Sequence, residues 1–112
     1  MRGGLGLRVT LTFAGRRFAP AGGGGTVATW SQDGDLVWAE VTGPELPVGR
    51  LVGSVRPDGV LDVAYCFVTP AGPVAGECES TPEVLDDGRI RLTERWRRVD
   101  GSSGVSYAEE IR

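Results

Sequence analysis

The stretch Arg89-Ile90-Arg91-Leu92-Thr93-Glu94-Arg95-Trp96-Arg97-Arg98-Val99 decides the reading of this chain. Ile90, Leu92, Glu94, Trp96 and Arg98 fall on one side of an extended segment, and Arg89, Arg91, Thr93, Arg95 and Arg97 on the other. Side chains alternate across a strand with period 2. The second set is almost wholly charged, so the first is the inward one. A strand of this kind needs a sheet around it, and one carboxylate, Glu94, then lies in the middle of an otherwise apolar face.

The same period extends in both directions. Leu7, Val9, Leu11 and Phe13 alternate with Arg8, Thr10 and Thr12, which predicts a first strand over 7–13. Ala19 to Gly25 contains a proline and four consecutive glycines and reads as a loop. Thr26–Ser31 and Asp35–Val41 read as strands joined by an Asp-Gly turn around Asp33-Gly34. Val48–Val55 and Val60–Val68 follow, separated by Pro57-Asp58-Gly59. Val74–Ser80 is a sixth strand, and Pro82–Gly88 reads as a longer connection able to hold one helical turn. Arg89–Val99 is the seventh strand, and Val105, Tyr107 and Ile111 mark a last one.

About eight strands at regular spacing, joined mostly by tight turns, predict an all-β chain built as an up-and-down antiparallel meander. Closure into an eight-stranded barrel removes the exposed edges of such a meander and leaves an interior suited to side chains or one small ligand. With 112 residues the chain is one domain, 1–112.

Composition narrows the chemistry. All 12 basic residues are arginine, and there is no histidine. That excludes an imidazole base, Ser-His and Cys-His pairs, a Schiff-base lysine and a P-loop lysine. Cys66 and Cys78 lack zinc-site spacing, so no metal and no cofactor is expected. A net charge of −3 argues against nucleic acid or an anionic membrane as partner. No stretch approaches a membrane span, and the N-terminal residues lack the apolar run of a signal peptide, so a cytoplasmic protein with reduced cysteines is expected.

Within that frame Glu94 is the leading candidate for a general acid or base, because burial raises a carboxyl pKa toward values useful for proton transfer. Tyr65, on the apolar face of the fifth strand, is the second catalytic candidate. Trp30, Val41, Val63, Phe67, Leu92, Trp96, Arg98 and Tyr107 are the expected ligand-binding wall, with Arg98 near the strand end where it could meet an anionic group. Buried aromatics more often serve as plain core, and a buried Glu can serve as a structural tie. Arg89, Arg91, Arg95 and Arg97 are expected to form an outer stripe balanced by Glu77, Glu79, Glu109 and Glu110. Cys78 points inward. An outward Trp38 would anchor a homodimer.

The chain from Gly15 onward resembles a family of small bacterial avidin-like, calycin-type barrels. The matching pieces are Gly15-Arg16-Arg17-Phe18, Val37-Trp38-Ala39, Gly49-Arg50-Leu51-Val52-Gly53, Gly76-Glu77-Cys78, Ser80 to Leu85, Gly88 to Trp96, Ser103 to Ser106 and Glu109-Glu110. The resemblance implies the same barrel and an enclosed small molecule. Members are often labelled N-acetylglutamate synthase, an activity that a chain of this length with no cofactor-binding motif does not fit. Departures fall at Val41, where the family tends to carry an aromatic, at Arg98 in place of a second Trp, and at Pro44 in place of Gly. They imply a larger interior, more polar at one end. The function expected is a small-molecule-binding barrel, either a cofactor-independent cyclase, isomerase or lyase working through Glu94, or a non-catalytic binder or carrier.

Overall fold

The computed structural model describes residues 11–112, and all eight strands found there close into one antiparallel barrel. In order they are β1 (Arg17–Pro20), β2 (Val27–Asp33), β3 (Leu36–Gly43), β4 (Leu46–Val55), β5 (Leu61–Thr69), β6 (Gly72–Val84), β7 (Ile90–Arg98) and β8 (Ser103–Glu110). Each strand pairs with its neighbours in sequence, and β1 pairs with β8 to complete the ring. The up-and-down barrel expected from the strand spacing is the fold observed.

Two segments differ from the sequence reading. The part of the expected first strand at Leu7–Thr10 lies outside the described residues, and Leu11–Phe13 is irregular rather than extended. Phe13 is nevertheless 1% exposed, because the segment folds under the barrel as a plug. The Phe13 amide donates to Gln32 Oε1 at 2.8 Å, and the Gly15 amide to the Trp30 carbonyl at 2.9 Å. The strand that closes the ring is β1, taken from residues the sequence assigned partly to a loop. Four residues ending in proline carry too short an alternation to be recognised, and pairing on both sides supplies what propensity does not. The second difference is at Pro82–Val84, which extends β6 instead of turning helically; its partners Leu92, Arg91 and Ile90 on β7 hold it in the ladder.

Because the strands alternate in direction, the β1–β2, β3–β4, β5–β6 and β7–β8 turns gather at one end and the other turns at the opposite end. The second end is closed. Phe13, Phe18, Val37, Leu61, Ile90 and Leu92 are its fully buried side chains, and burial of each such group is worth roughly 1.5–3 kcal/mol. Arg16 and Glu110 seal the β1–β8 seam there, with Arg16 Nη1 2.9 and 3.0 Å from the two Glu110 oxygens. Glu110 Oε1 also accepts from the Ile90 amide at 3.0 Å. The Glu110 carboxylate is therefore a tie at the closed end, and for this one residue the expectation of a carboxylate partner for the outer arginine stripe is corrected.

On the outer face Arg97 meets Glu77 at 3.1 Å, and Arg91 meets Glu109 at 3.6 Å. Glu79 turns instead to Arg56 at 2.5 Å. These pairs are solvated and contribute little individually.

Candidate functional site

The other end of the barrel stays open and leads into a cavity of about 250 Å³. Its size follows from a repeated device in the wall. Trp96 stands opposite Gly104 across β7–β8, Tyr65 opposite Gly76 across β5–β6, and Phe67 opposite Gly49 across β4–β5. A Cβ at Gly104 would come within 2.5 Å of the indole, at Gly76 within 2.7 Å of the tyrosine hydroxyl, and at Gly49 within 2.7 Å of the phenyl ring. Each ring thus lies down over a residue with no side chain. Space that large neighbours would fill is left open.

Most of the expected wall is here. Trp30, Val41, Tyr65, Phe67, Leu92, Glu94, Trp96 and Arg98 all line the cavity. Val63 is buried in the core beside it without reaching its surface. Tyr107 is the exception: it is 47% exposed and stacks under Arg91 at 5.4 Å on the outer face. Ser106 and Ala108 line the cavity on either side of it, so alternation along β8 turns Tyr107 out. The register that decides this, Glu94 opposite Ser106 and Thr93 opposite Tyr107, is set by strand pairing.

Glu94 sits on the cavity wall between β6 and β8, in register with Ser80 on one side and Ser106 on the other. Ser106 Oγ donates to Glu94 Oε1 at 3.0 Å. Among the described residues this is the carboxylate's one hydrogen-bond partner, and no cation lies within 4 Å of it. Burial pushes the carboxyl pKa up, and the Ser106 hydrogen bond holds part of that rise back. Glu94 is therefore neither paired nor packed away.

Cys78 lies opposite Trp96, with its Sγ 3.4 Å from Ser80 Oγ. Burial, with Glu94 nearby, pushes its thiol up to about 11, so it is a neutral wall residue at ordinary pH. Arg98 is at the rim with its guanidinium 5.1 Å from the centre of the Trp96 ring. Ser106 and Ser80 were not among the residues singled out by sequence. Both stand at inward positions of their strands, a signal that acquires meaning only when the register sets them beside Glu94.

Residues 11–111 match the avidin-like protein family. The chain belongs to the avidin-like family. The match spans the whole ring and the plug beneath it, and the closed eight-stranded architecture agrees with it. No curated protein and no solved structure matches the chain at a comparable level. Of the three positions expected to depart from the family pattern, Val41 and Arg98 line the cavity, while Pro44 packs against Gly25, where an added Cβ would meet its Cδ at 3.2 Å. At coarse resolution, then, this is an avidin-like barrel with a small-molecule-sized interior.

Proposed function

We propose that the protein binds a small organic molecule in the barrel and exchanges a proton with it through Glu94. The observation that carries this is a carboxyl group with a single serine partner, facing an open cavity walled mainly by apolar and aromatic side chains. A structural glutamate would be satisfied by an arginine or by several donors, and leaving it so nearly bare in an apolar wall costs stability. Function is the natural reason for that cost.

A carboxyl with a raised pKa can give a proton to one atom of a bound molecule and recover one from another. That is the net chemistry of a cofactor-independent isomerase, cyclase or lyase. Tyr65, whose hydroxyl lies over Gly76 on the wall, and Arg98 at the rim would orient the substrate. A carrier uses the same contacts without turnover.

The test is a time course by liquid chromatography and mass spectrometry, with cell metabolite extract incubated with the wild-type protein or with Glu94→Gln. Conversion of one species that the variant does not carry out establishes the acid–base role. Stoichiometric retention without conversion reduces the function to binding, and absence of both overturns the pocket reading.

A specific observation supports a second role for the outer wall. Leu36, Trp38 and Val52 are 60%, 41% and 60% exposed, with Trp38 and Val52 directly opposite each other on β3 and β4. Glu40 and Arg50 are also opposite, yet Arg50 donates to the Gly49 carbonyl and makes no ion pair with Glu40. A second copy related by a two-fold axis covers the apolar patch and offers each of these charges its opposite.

A further inference from the structure

We infer that the occupant of the cavity is amphoteric: a compact apolar or aromatic body with a basic nitrogen at its inner end and an acidic group at its outer end. The inference deepens the ligand-binding reading and rests on it, but does not depend on catalysis.

Two residues of opposite charge, Glu94 and Arg98, line the cavity, and the other lining residues are apolar, aromatic or hydroxyl side chains together with Cys78, whose thiol burial holds neutral. Both project from the inward face of β7, four residues apart, about 13 Å along a strand. They are too far apart in that wall to neutralise each other, and no ion pair forms between them. Trp96 lies between them on the same face, and the Arg98 guanidinium is folded back over its ring at 5.1 Å. The cationic group therefore hangs over the edge of the cavity. Asp100, on the β7–β8 turn, lies within its electrostatic reach but is held first by Ser102 and forms no ion pair with Arg98.

The two charges are differently placed with respect to depth. Glu94 stands inside the ring with one acceptor oxygen engaged by Ser106, leaving Oε2 without a donor among the described residues. Only a donor can satisfy it, and a protonated nitrogen does so with charge as well as geometry. Arg98 is exposed at the rim, where a planar, donor-rich group best engages a carboxylate, phosphate or sulfate. Between them Trp96, Tyr65 and Phe67 present ring surface. Taking about 30 Å³ for each water, the cavity volume corresponds to roughly eight waters, which limits the body to about one ring with short substituents.

The probes are four molecules of one shape: 4-(aminomethyl)benzoate, benzylamine, 4-methylbenzoate and p-xylene. Binding is measured by calorimetry and by NMR shifts of the tryptophan indole N–H signals, with the wild-type protein, Glu94→Gln and Arg98→Gln. Glu94→Gln keeps the side-chain shape and Arg98→Gln replaces the cation with a shorter neutral donor, and the unliganded spectra check that the barrel is intact.

The expected result is that 4-(aminomethyl)benzoate binds at least about tenfold more tightly than either singly charged probe. Glu94→Gln should bring it down to the level of 4-methylbenzoate, and Arg98→Gln to that of benzylamine. If p-xylene or 4-methylbenzoate binds as well as the bifunctional probe, the amphoteric inference is overturned while the pocket stands. If the bifunctional probe binds best but neither variant weakens it, the assignment to these two residues is overturned. If no probe moves the indole signals, the inference and the ligand-binding reading fall together.

Discussion

Trp96 lies flat across Gly104, its Cζ2 only 2.5 Å from the place where any other residue would carry a Cβ. The pair spans β7 and β8 next to Glu94 and Ser106, so the open volume beside the carboxylate depends on a glycine two residues from its hydrogen-bond partner. The same relation holds for Tyr65 and Gly76 and for Phe67 and Gly49.

Gly104→Val should push the Trp96 indole off the wall. The expected cost is about 1–3 kcal/mol in urea unfolding, the usual range for overpacking, together with a changed tryptophan emission as the ring enters the cavity. Unchanged stability and emission would show that the wall yields and that the glycine does not set the cavity size.

Glu94→Gln tests the electrostatics through pH. Burial raises the folded-state pKa above the ordinary carboxyl value of about 4.5 that the unfolded chain keeps. The folded state therefore binds the proton more tightly, and the associated stability is fully present below about 4.5 and lost as pH rises through the folded pKa. The variant has nothing to titrate there. Its stability relative to wild type should rise from pH 4 to pH 8, and a difference that stays flat with pH would show that Glu94 is well solvated.

Ser106→Ala removes the donor to Glu94 Oε1. The hydrogen bond favours the charged carboxyl, so its loss should cost more at pH 8, about 1–3 kcal/mol, than at pH 4. Equal losses at both pH values would mean that Ser106 matters by packing alone.

Glu110→Ala breaks the seam between β1 and β8 and leaves the Ile90 amide without its acceptor. The expected loss is about 1–3 kcal/mol, with faster hydrogen exchange in β1 than in β4 or β5. Arg16→Ala should cost less, because its guanidinium is the more exposed partner, with 31% of the side chain accessible against 14%.

Trp38→Asp places a charge in the outer apolar patch without touching the interior. If two copies join there, light scattering will show a dimer for the wild type and a monomer for the variant, with the cavity unaffected. A wild-type protein that is monomeric at high concentration removes the dimer reading.

The second to eighth strands in their order, the barrel class and the inward placement of Glu94 were legible from the sequence, because each depends on a period-2 pattern carried by consecutive residues. Arg89 to Val99 shows this best: solvent and core demand opposite side chains on alternate residues, and that demand is written locally. What tertiary structure alone decided is everything that depends on register between strands. Tyr107 turned outward because β8 pairs with Thr93 opposite it, Ser106 became the partner of Glu94 by the same pairing, and β1 exists only because β2 and β8 lie on either side of four weakly patterned residues. The cavity belongs to this second group. It arises where glycines of one strand fall opposite aromatics of the next, and the sliding of one strand against another is fixed by the closed ring as a whole, not by any segment read alone.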